Sequence, residues 1–242
     1  MTTLEIAVQD AAGARTALEN GADRVEFCAA LRMGGHSPSL AAVEQAVAVG
    51  IGVHVLVRPR GGGYVYSPAE VDLMVAEAEQ AVRAGAAGVV IGALTHGDTS
   101  LDAEALGRII DAARGVNPGA EITVHRCVDV LLERGLPVES LIVELRQLGV
   151  DRVLTSGGAR TAGEGVGMLL ELRQIAGGNP QIQAGGGVRL ADIPALSGLD
   201  GIHLSARAAR RDGASGPGGG EEDYDVTDPE LVAAAAAALT GH

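Results

Sequence analysis

Short apolar runs alternate along the chain with longer stretches in which apolar residues recur at helical spacing. Four of the short runs, residues 4–8, 52–57, 121–126 and 181–184, have the length and composition of buried strands. Four more strands are predicted after a repeated turn that begins at Gly21, Gly85, Gly149 and Gly198, at spacings of 64, 64 and 49 residues. Each of these glycines follows a helical run, which it can cap in a left-handed conformation before the next strand begins.

Strands that alternate with helical stretches predict βαβ units and a parallel sheet. Eight such strands close most economically into a barrel. The predicted fold class is therefore α/β, a single-domain (βα)8 TIM barrel over residues 1–242. A doubly wound open sheet is the alternative, but no GxGxxG motif follows the first strand.

The segment 212–228 interrupts this alternation. Because it is rich in glycine and acidic residues, we expect a flexible loop. Beyond it, Asp228 can serve as the N-cap and Pro229 as the first residue of a C-terminal helix.

The composition of the chain argues against several classes of function. With 47% apolar but only 2% aromatic residues, the chain can bury a large aliphatic core. A net charge of −13 and the lack of a base-stacking platform argue against nucleic-acid binding. No apolar run is long enough to span a membrane, and the first residues do not resemble a signal peptide, so we expect a cytoplasmic protein with free thiols at Cys28 and Cys127.

Ionisable side chains recur at alternate positions of several predicted strands. A buried unpaired charge costs several kcal/mol, so we expect these groups to face one another across a common pocket. They are Glu5 on strand one, Glu26 and Cys28 on strand two, His54, Arg58 and Arg60 on strand three, His125, Cys127 and Asp129 on strand five, and His203 and Ser205 on strand eight.

From this set we select Glu26, Arg58, His125 and Asp129 as candidate catalytic residues. A structural salt-bridge network of Glu26, Arg58 and Asp129 is the alternative. We expect His54, early in its strand, to be a hydrogen-bonded core residue.

Glycine-rich loops follow predicted strands six to eight. Barrels often bind phosphate at these loops through backbone N–H groups and a helix N-terminus. A helix that starts near Arg189 or Leu190 would direct its positive end at the same place. The candidate anion- or cofactor-binding residues are Ser156, Gly185, Gly186, Gly187, Ser205 and Arg207; a purely structural tight turn is the alternative.

Several segments resemble signatures of the CutC family. They are ADRVEFCAAL at 22–31, GGHSPS at 34–39, VHVLVRPRGG at 53–62, VHR at 124–126, LTSGG at 154–158 and AGGGV at 184–188, and the resemblance runs in order from Leu4 to Asp228. It implies a cytoplasmic TIM barrel that forms a homodimer or a higher homo-oligomer. It also implies a role in copper homeostasis and copper binding.

Cys28 and Cys127 are the candidate metal ligands, because Cu(I) prefers thiolates. The chain departs from the family pattern at Val65, where many members have a cysteine, and at Val130-Leu131-Leu132, which lacks another. We therefore expect at most weak copper binding.

The alternative is an enzyme that acts on a small phosphorylated or carboxylated metabolite at the C-terminal face of the strands. Glu26, His125 and Asp129 could then act as acid, base or hard-metal ligands, while arginines hold the anion. No GxSxG, HExxH or CxxC motif defines the reaction. A ligand-binding sensor without turnover is a third class.

Overall fold

The computed structural model describes residues 2–97, 99–211 and 223–240. Eight parallel strands follow one another around a closed barrel in chain order, and the first strand pairs with the eighth. The barrel strands are β1 (Thr3–Val8), β2 (Arg24–Phe27), β3 (Gly52–Leu56), β4 (Gly88–Ile91), β5 (Glu121–Val124), β6 (Arg152–Thr155), β7 (Gln181–Ala184) and β8 (Gly201–Leu204). The predicted (βα)8 fold class is confirmed.

Helices connect the strands and pack around the barrel. They are α1 (Ala11–Glu19), α2 (Leu40–Val47), α3 (Pro68–Arg83), α4 (Ala103–Val116), α5 (Cys127–Glu133), α6 (Val138–Gln147), α7 (Val166–Ala176), α8 (Ile193–Leu196) and α9 (Pro229–Thr240). Residues that favour helix N-termini lie where several helices begin. Ser67, the N-cap of α3, forms a capping box with Glu70, and the Asp10 side chain caps α1.

Glycines end several helices before the next strand begins. Gly21, Gly85 and Gly149 have φ angles of 91°, 97° and 67°, as the repeated turn predicts. An aliphatic layer between the barrel and the helices forms the main core. Inside the barrel, a separate small apolar cluster comprises Cys28, Leu56 and Val90.

The lower half of the barrel interior is polar. Arg24 donates to Glu5 Oε2 at 2.6 Å and to Gln183 Oε1, while Gln183 donates to Glu5 Oε1 at 2.5 Å. On the opposite side, Arg152 donates to Thr123 at 3.0 Å and to Glu121 at 2.8 Å. Glu121 also contacts His54 Nε2 at 3.0 Å, so His54 is a hydrogen-bonded core residue, as expected.

Glycines make room for these long side chains. The register pairs Arg24 with Gly52, Glu121 with Gly88, and Gln183 with Gly201. A Cβ atom on Gly88 would lie 2.3 Å from the Glu121 carbonyl oxygen, and one on Gly201 would lie 3.2 Å from Gln183 Oε1. The polar interior therefore requires small residues on the neighbouring strands.

Two segments differ from the sequence-based expectations. Strand β5 ends at Val124 and α5 begins at Cys127, so Cys127 and Asp129 lie on a helix and not on the strand. Within the expected 212–228 loop, Asp223–Thr227 forms strand β10, which pairs antiparallel with β9 (Arg207–Arg211). The rest of that loop, 212–222, lies outside the described residues.

Among the helices of the described segments, none combines the length and the apolar character that crossing a membrane requires.

The packing of the barrel interior predicts opposite effects for two glycine substitutions. Gly88→Ala should lower the free energy of unfolding by about 2–3 kcal/mol, because the new methyl group overlaps the Glu121 backbone. Gly107→Ala in α4 is the matched control: no atom lies within 4 Å of its Cβ position. It should be neutral or raise the free energy of unfolding by about 0.5–1 kcal/mol. Urea unfolding measures both, and wild-type stability of Gly88→Ala would contradict the packing argument.

Candidate active site

A cavity of about 320 Å³ opens at the C-terminal end of the barrel strands. Three of the four candidate catalytic residues, Glu26, Arg58 and His125, line it together. Asp129, the fourth, does not line it. The cavity lies where the active sites of TIM barrels lie.

A chain of three buried ionisable groups reaches this cavity from the seam between β1 and β8. His203 Nδ1 contacts Glu5 Oε1 at 2.8 Å, and His203 Nε2 lies 3.3 Å from Glu26 Oε2. Glu5 is already bound by Arg24 and Gln183. Glu5 therefore accepts the Nδ1 proton and orients the ring, which leaves Nε2 directed at Glu26.

Burial and charge act differently on the three groups. Burial raises the pKa of Glu26 to about 7, against the opposing effect of the His203 charge. Burial would also raise the pKa of Glu5, but the hydrogen bond from His203 and the Arg24 charge bring it well below its usual value. For His203, burial lowers the pKa, but the two carboxylates outweigh it and the pKa is raised. The protonation of Glu26 is thus coupled to that of His203, 3.3 Å away.

Glu5, Glu26 and His203 each offer a ligand atom, and these atoms lie within 4.8 Å of one another. Both Glu5 oxygens already accept hydrogen bonds from Arg24, Gln183 and His203. A divalent cation would have to displace these bonds. The arrangement suits proton transfer better than metal binding.

Another part of the cavity wall, contributed by the segment after β3, is positively charged. Arg58 is 8% exposed, and its Nη atoms donate to the carbonyl oxygens of Gly34, Gly35 and Gly62 at 3.0–3.1 Å. Its buried Nε has no hydrogen-bond partner. No carboxylate in the described part of the chain forms an ion pair with Arg58. A buried cation in this state favours an anionic ligand.

Asp129 supports the site from behind the cavity. Its carboxylate accepts from Arg126 Nε at 2.7 Å, from Thr155 Oγ1 at 2.5 Å, and from the Ser156 and Gly158 backbone N–H groups. With its oxygens so engaged, Asp129 is a positioning residue that fixes Arg126 and the loop after β6. The expectation of a catalytic Asp129 facing the cavity is not met.

Three of the six candidate anion-binding residues line the cavity, and the other three do not. Gly186, Gly187 and Ser205 line the cavity beside Arg126. Gly186 and Gly187 have φ angles of 94° and 63°, and a Cβ on Gly186 would lie 2.5 Å from the Arg126 guanidinium carbon. The glycines therefore allow Arg126 to lie across the mouth.

The other three anion-binding candidates lie elsewhere. Gly185 packs against Leu154, because a Cβ atom on Gly185 would lie 2.4 Å from Leu154 Cδ1. Ser156 is fully buried, and its hydroxyl group donates a hydrogen bond to the Asp129 carboxylate. Arg207 is exposed and paired with Asp225 at 2.7 Å. The expected helix start near Leu190 is a three-residue 3₁₀ turn, and the Arg189 N–H ahead of it is bound by Asp192.

The two candidate metal ligands, Cys28 and Cys127, lie in different surroundings. Cys28 lines the cavity among apolar side chains, whereas Cys127 packs behind it, next to His125 and Gly92. Neither cysteine joins a group of three metal-binding side chains in the described residues. Burial, reinforced by Glu26 and Asp129 respectively, raises the pKa of each thiol well above its usual range. Protonated thiols at separate positions do not fit Cu(I).

Sequence reasoning placed Glu5 and His203 on the correct face but did not select them as site residues. They are register partners on β1 and β8, which become neighbours only when the barrel closes. It also did not select Tyr64, whose ring lies 4.9 Å from the His125 ring. In the sequence, Glu5 and His203 differ from other strand residues only in that they are ionisable and share the lumen-facing strand parity, which is a weak signal.

The fold and the position of this cavity define the chain as a TIM barrel with a polar site at the C-terminal face. A protein-family model described as "CutC family" matches residues 2–208. A family protein CutC from Agrobacterium fabrum is 42% identical over 193 residues, which is 80% of this chain and 73% of the relative. A family protein CutC from Vibrio atlanticus is 32% identical, and the match covers 99% of this chain and 99% of the relative. The chain belongs to the CutC family.

Solved structures agree with this assignment. A candidate copper homeostasis protein CutC from Streptococcus agalactiae superposes with a TM-score of 0.74 at 26% identity, over 84% of this chain and 98% of that one. Deoxyribose phosphate aldolase from Aeropyrum pernix superposes with a TM-score of 0.61 at 17% identity, over 84% of this chain and 85% of that one. This second likeness concerns the fold alone.

The placement of the cysteines predicts weak copper binding. Competition between the protein and a Cu(I) chelator should reveal no tight stoichiometric site, because Cys28 and Cys127 are buried, protonated and separate. Tight binding that disappears in a Cys28→Ser, Cys127→Ser double variant would overturn this prediction and restore a thiolate copper site.

Proposed function

We propose that this protein is an enzyme that performs acid–base chemistry on a small phosphorylated or carboxylated metabolite. One observation carries the proposal: a buried arginine that forms no ion pair with a carboxylate of the described residues lines the same cavity as a glutamate–histidine pair. The arginine supplies binding energy for an anion, and the pair supplies a proton acceptor and donor. Burial raises the pKa of Glu26 to about 7, which supports a role in proton transfer.

Each residue then has a distinct role. Arg58 neutralises the anionic group at the wall, and Arg126 provides a second positive charge at the mouth, beside Gly186 and Gly187. Glu26 exchanges a proton with the ligand, and His203 exchanges a proton with Glu26. Glu5 and Asp129 are positioning residues for His203 and Arg126, respectively.

The copper role in the name of the Streptococcus agalactiae relative has less support from this cavity, because Cys28 lines it and Cys127 does not. From the family resemblance, we propose a cytoplasmic protein that assembles as a homo-oligomer. Sedimentation of the purified chain tests the assembly.

The proposal predicts anion binding that depends on the arginines of the cavity. Titration calorimetry with inorganic phosphate and with malonate should detect binding of at least one of them. Arg126→Ala should weaken it about tenfold, because a charged hydrogen bond contributes about 1.5–3 kcal/mol. Arg126→Lys should retain part of the affinity. Arg15→Ala, which removes the same charge from an exposed position on α1, should leave it unchanged.

Two results would contradict this proposal. One is the absence of binding for both anions to the wild-type protein at millimolar concentration. The other is an equal loss of affinity in the Arg15→Ala and Arg126→Ala variants, which would indicate a general charge effect and not a site. Circular dichroism of each variant confirms that the barrel is intact.

A further inference from the structure

The ring of His125 is held in one tautomer. His125 directly follows β5, and its Nδ1 accepts the backbone N–H of Cys127 at 3.1 Å. A neutral ring in this position must carry its proton on Nε2. Gly92 makes room for the ring, because a Cβ there would lie 2.2 Å from the His125 Cε1 atom.

The Nε2–H group of His125 has no partner. Nε2 is buried and forms no hydrogen bond with any described residue, although His125 lines the cavity beside Tyr64. A buried donor without an acceptor is costly and rare in folded proteins. An acceptor oxygen that a ligand brings to His125 would remove this cost.

His125 remains neutral over the physiological pH range. Burial lowers its pKa to about 3, and the positive charges of Arg58 and Arg126 act in the same direction. The expectation that His125 acts as an acid or a base is therefore replaced by a different role. A neutral imidazole N–H can donate a hydrogen bond to a carbonyl oxygen and polarise the carbonyl group.

The cavity-facing carboxylate is Glu26. No hydrogen bond from a described residue occupies it, although His203 Nε2 lies 3.3 Å from its Oε2 and a ligand atom of Glu5 lies within 4.8 Å. Glu5 cannot take this role because Arg24, Gln183 and His203 occupy its oxygens. The cavity thus combines one N–H donor without an acceptor and one carboxylate free to accept a proton.

We infer that the substrate is an anionic carbonyl compound and that the reaction proceeds through an enolate. This inference rests on the proposed function. His125 Nε2–H donates to the carbonyl oxygen, and the Glu26 carboxylate removes a proton from the adjacent carbon. The electrons of the broken C–H bond form a C=C bond, and the carbonyl electrons move to oxygen as an enolate. Return of a proton from Glu26 to the same carbon, as the enolate electrons reform the carbonyl group, regenerates the carbonyl compound, so the step is a reversible proton exchange that needs no oxidant or other co-reactant.

Hydrogen exchange tests this step without knowledge of the product. The full-length protein is incubated in D₂O with dihydroxyacetone phosphate, pyruvate and hydroxypyruvate, and ¹H NMR follows the protons next to each carbonyl. We expect at least one compound to exchange faster than in buffer. Glu26→Gln should abolish the increase. His125→Ala should lower it about 100-fold, the usual effect of removing one oxyanion donor, without loss of phosphate binding.

Two further variants separate donation from a structural effect. His125→Gln retains an N–H donor and should recover part of the exchange rate, which would not occur if the ring acted as a base. His96→Gln, at an exposed loop position, should exchange like the wild type. Unfolding curves establish that each variant is folded.

The outcomes distinguish this inference from the function it rests on. If none of the three compounds exchanges but phosphate or malonate binds, the enolate inference falls and the anion-binding site stands. If neither exchange nor binding occurs, both fall. If exchange persists in His125→Ala at the wild-type rate, the role of His125 is wrong even though Glu26 acts as the base.

Discussion

The buried Glu5 carboxylate is the interaction on which both fold and site depend. Its two oxygens accept hydrogen bonds from Arg24, Gln183 and His203, and so connect β1 with β2, β7 and β8. An isolated carboxylate at this depth would cost several kcal/mol, so the pairing must be complete for the barrel to close. The same contacts fix the His203 ring. The contacts that join the first and last strands of the barrel therefore also orient the glutamate–histidine pair.

Space inside the barrel is the second constraint. The lower interior holds long polar side chains because Gly52, Gly88 and Gly201 are their register partners. The upper interior follows the same rule, since Gly92 admits His125 and Gly185 admits the Leu154 side chain. Above this level, Gly186 and Gly187 leave the mouth open beside Arg126. The distribution of glycine therefore determines where the interior is filled and where the cavity begins.

The sequence predicted much of this arrangement. Recurrent turns located the strands, and strand parity placed Glu26, Arg58 and His125 on one face, where they line one cavity. The Glu5–His203 contact spans 198 residues and exists only because the last strand pairs with the first, which no local pattern reports.

The errors arose where local pattern is ambiguous. The apolar run after His125 suits a strand and a short helix equally well, so Asp129 was assigned to β5 although it lies on α5. Arg207 was assigned to a loop near the anion site, but it belongs to the β9–β10 hairpin and pairs with Asp225. Copper binding, which the family resemblance implies, stays a prediction; of its two candidate ligands, Cys28 lines the cavity and Cys127 does not.

The central claim is that Glu26 exchanges a proton near neutral pH. The groups that face it are Glu5 from β1, Cys28 from β2 and His203 from β8, and His54 on β3 is its register partner. The direct measurement is the ¹³C NMR titration of the Glu26 carboxyl carbon, assigned by its loss in Glu26→Gln. Because burial favours the neutral form, the account predicts a protonated carboxyl at pH 5 that ionises around pH 7. Ionisation near the ordinary value of 4.5 would contradict it.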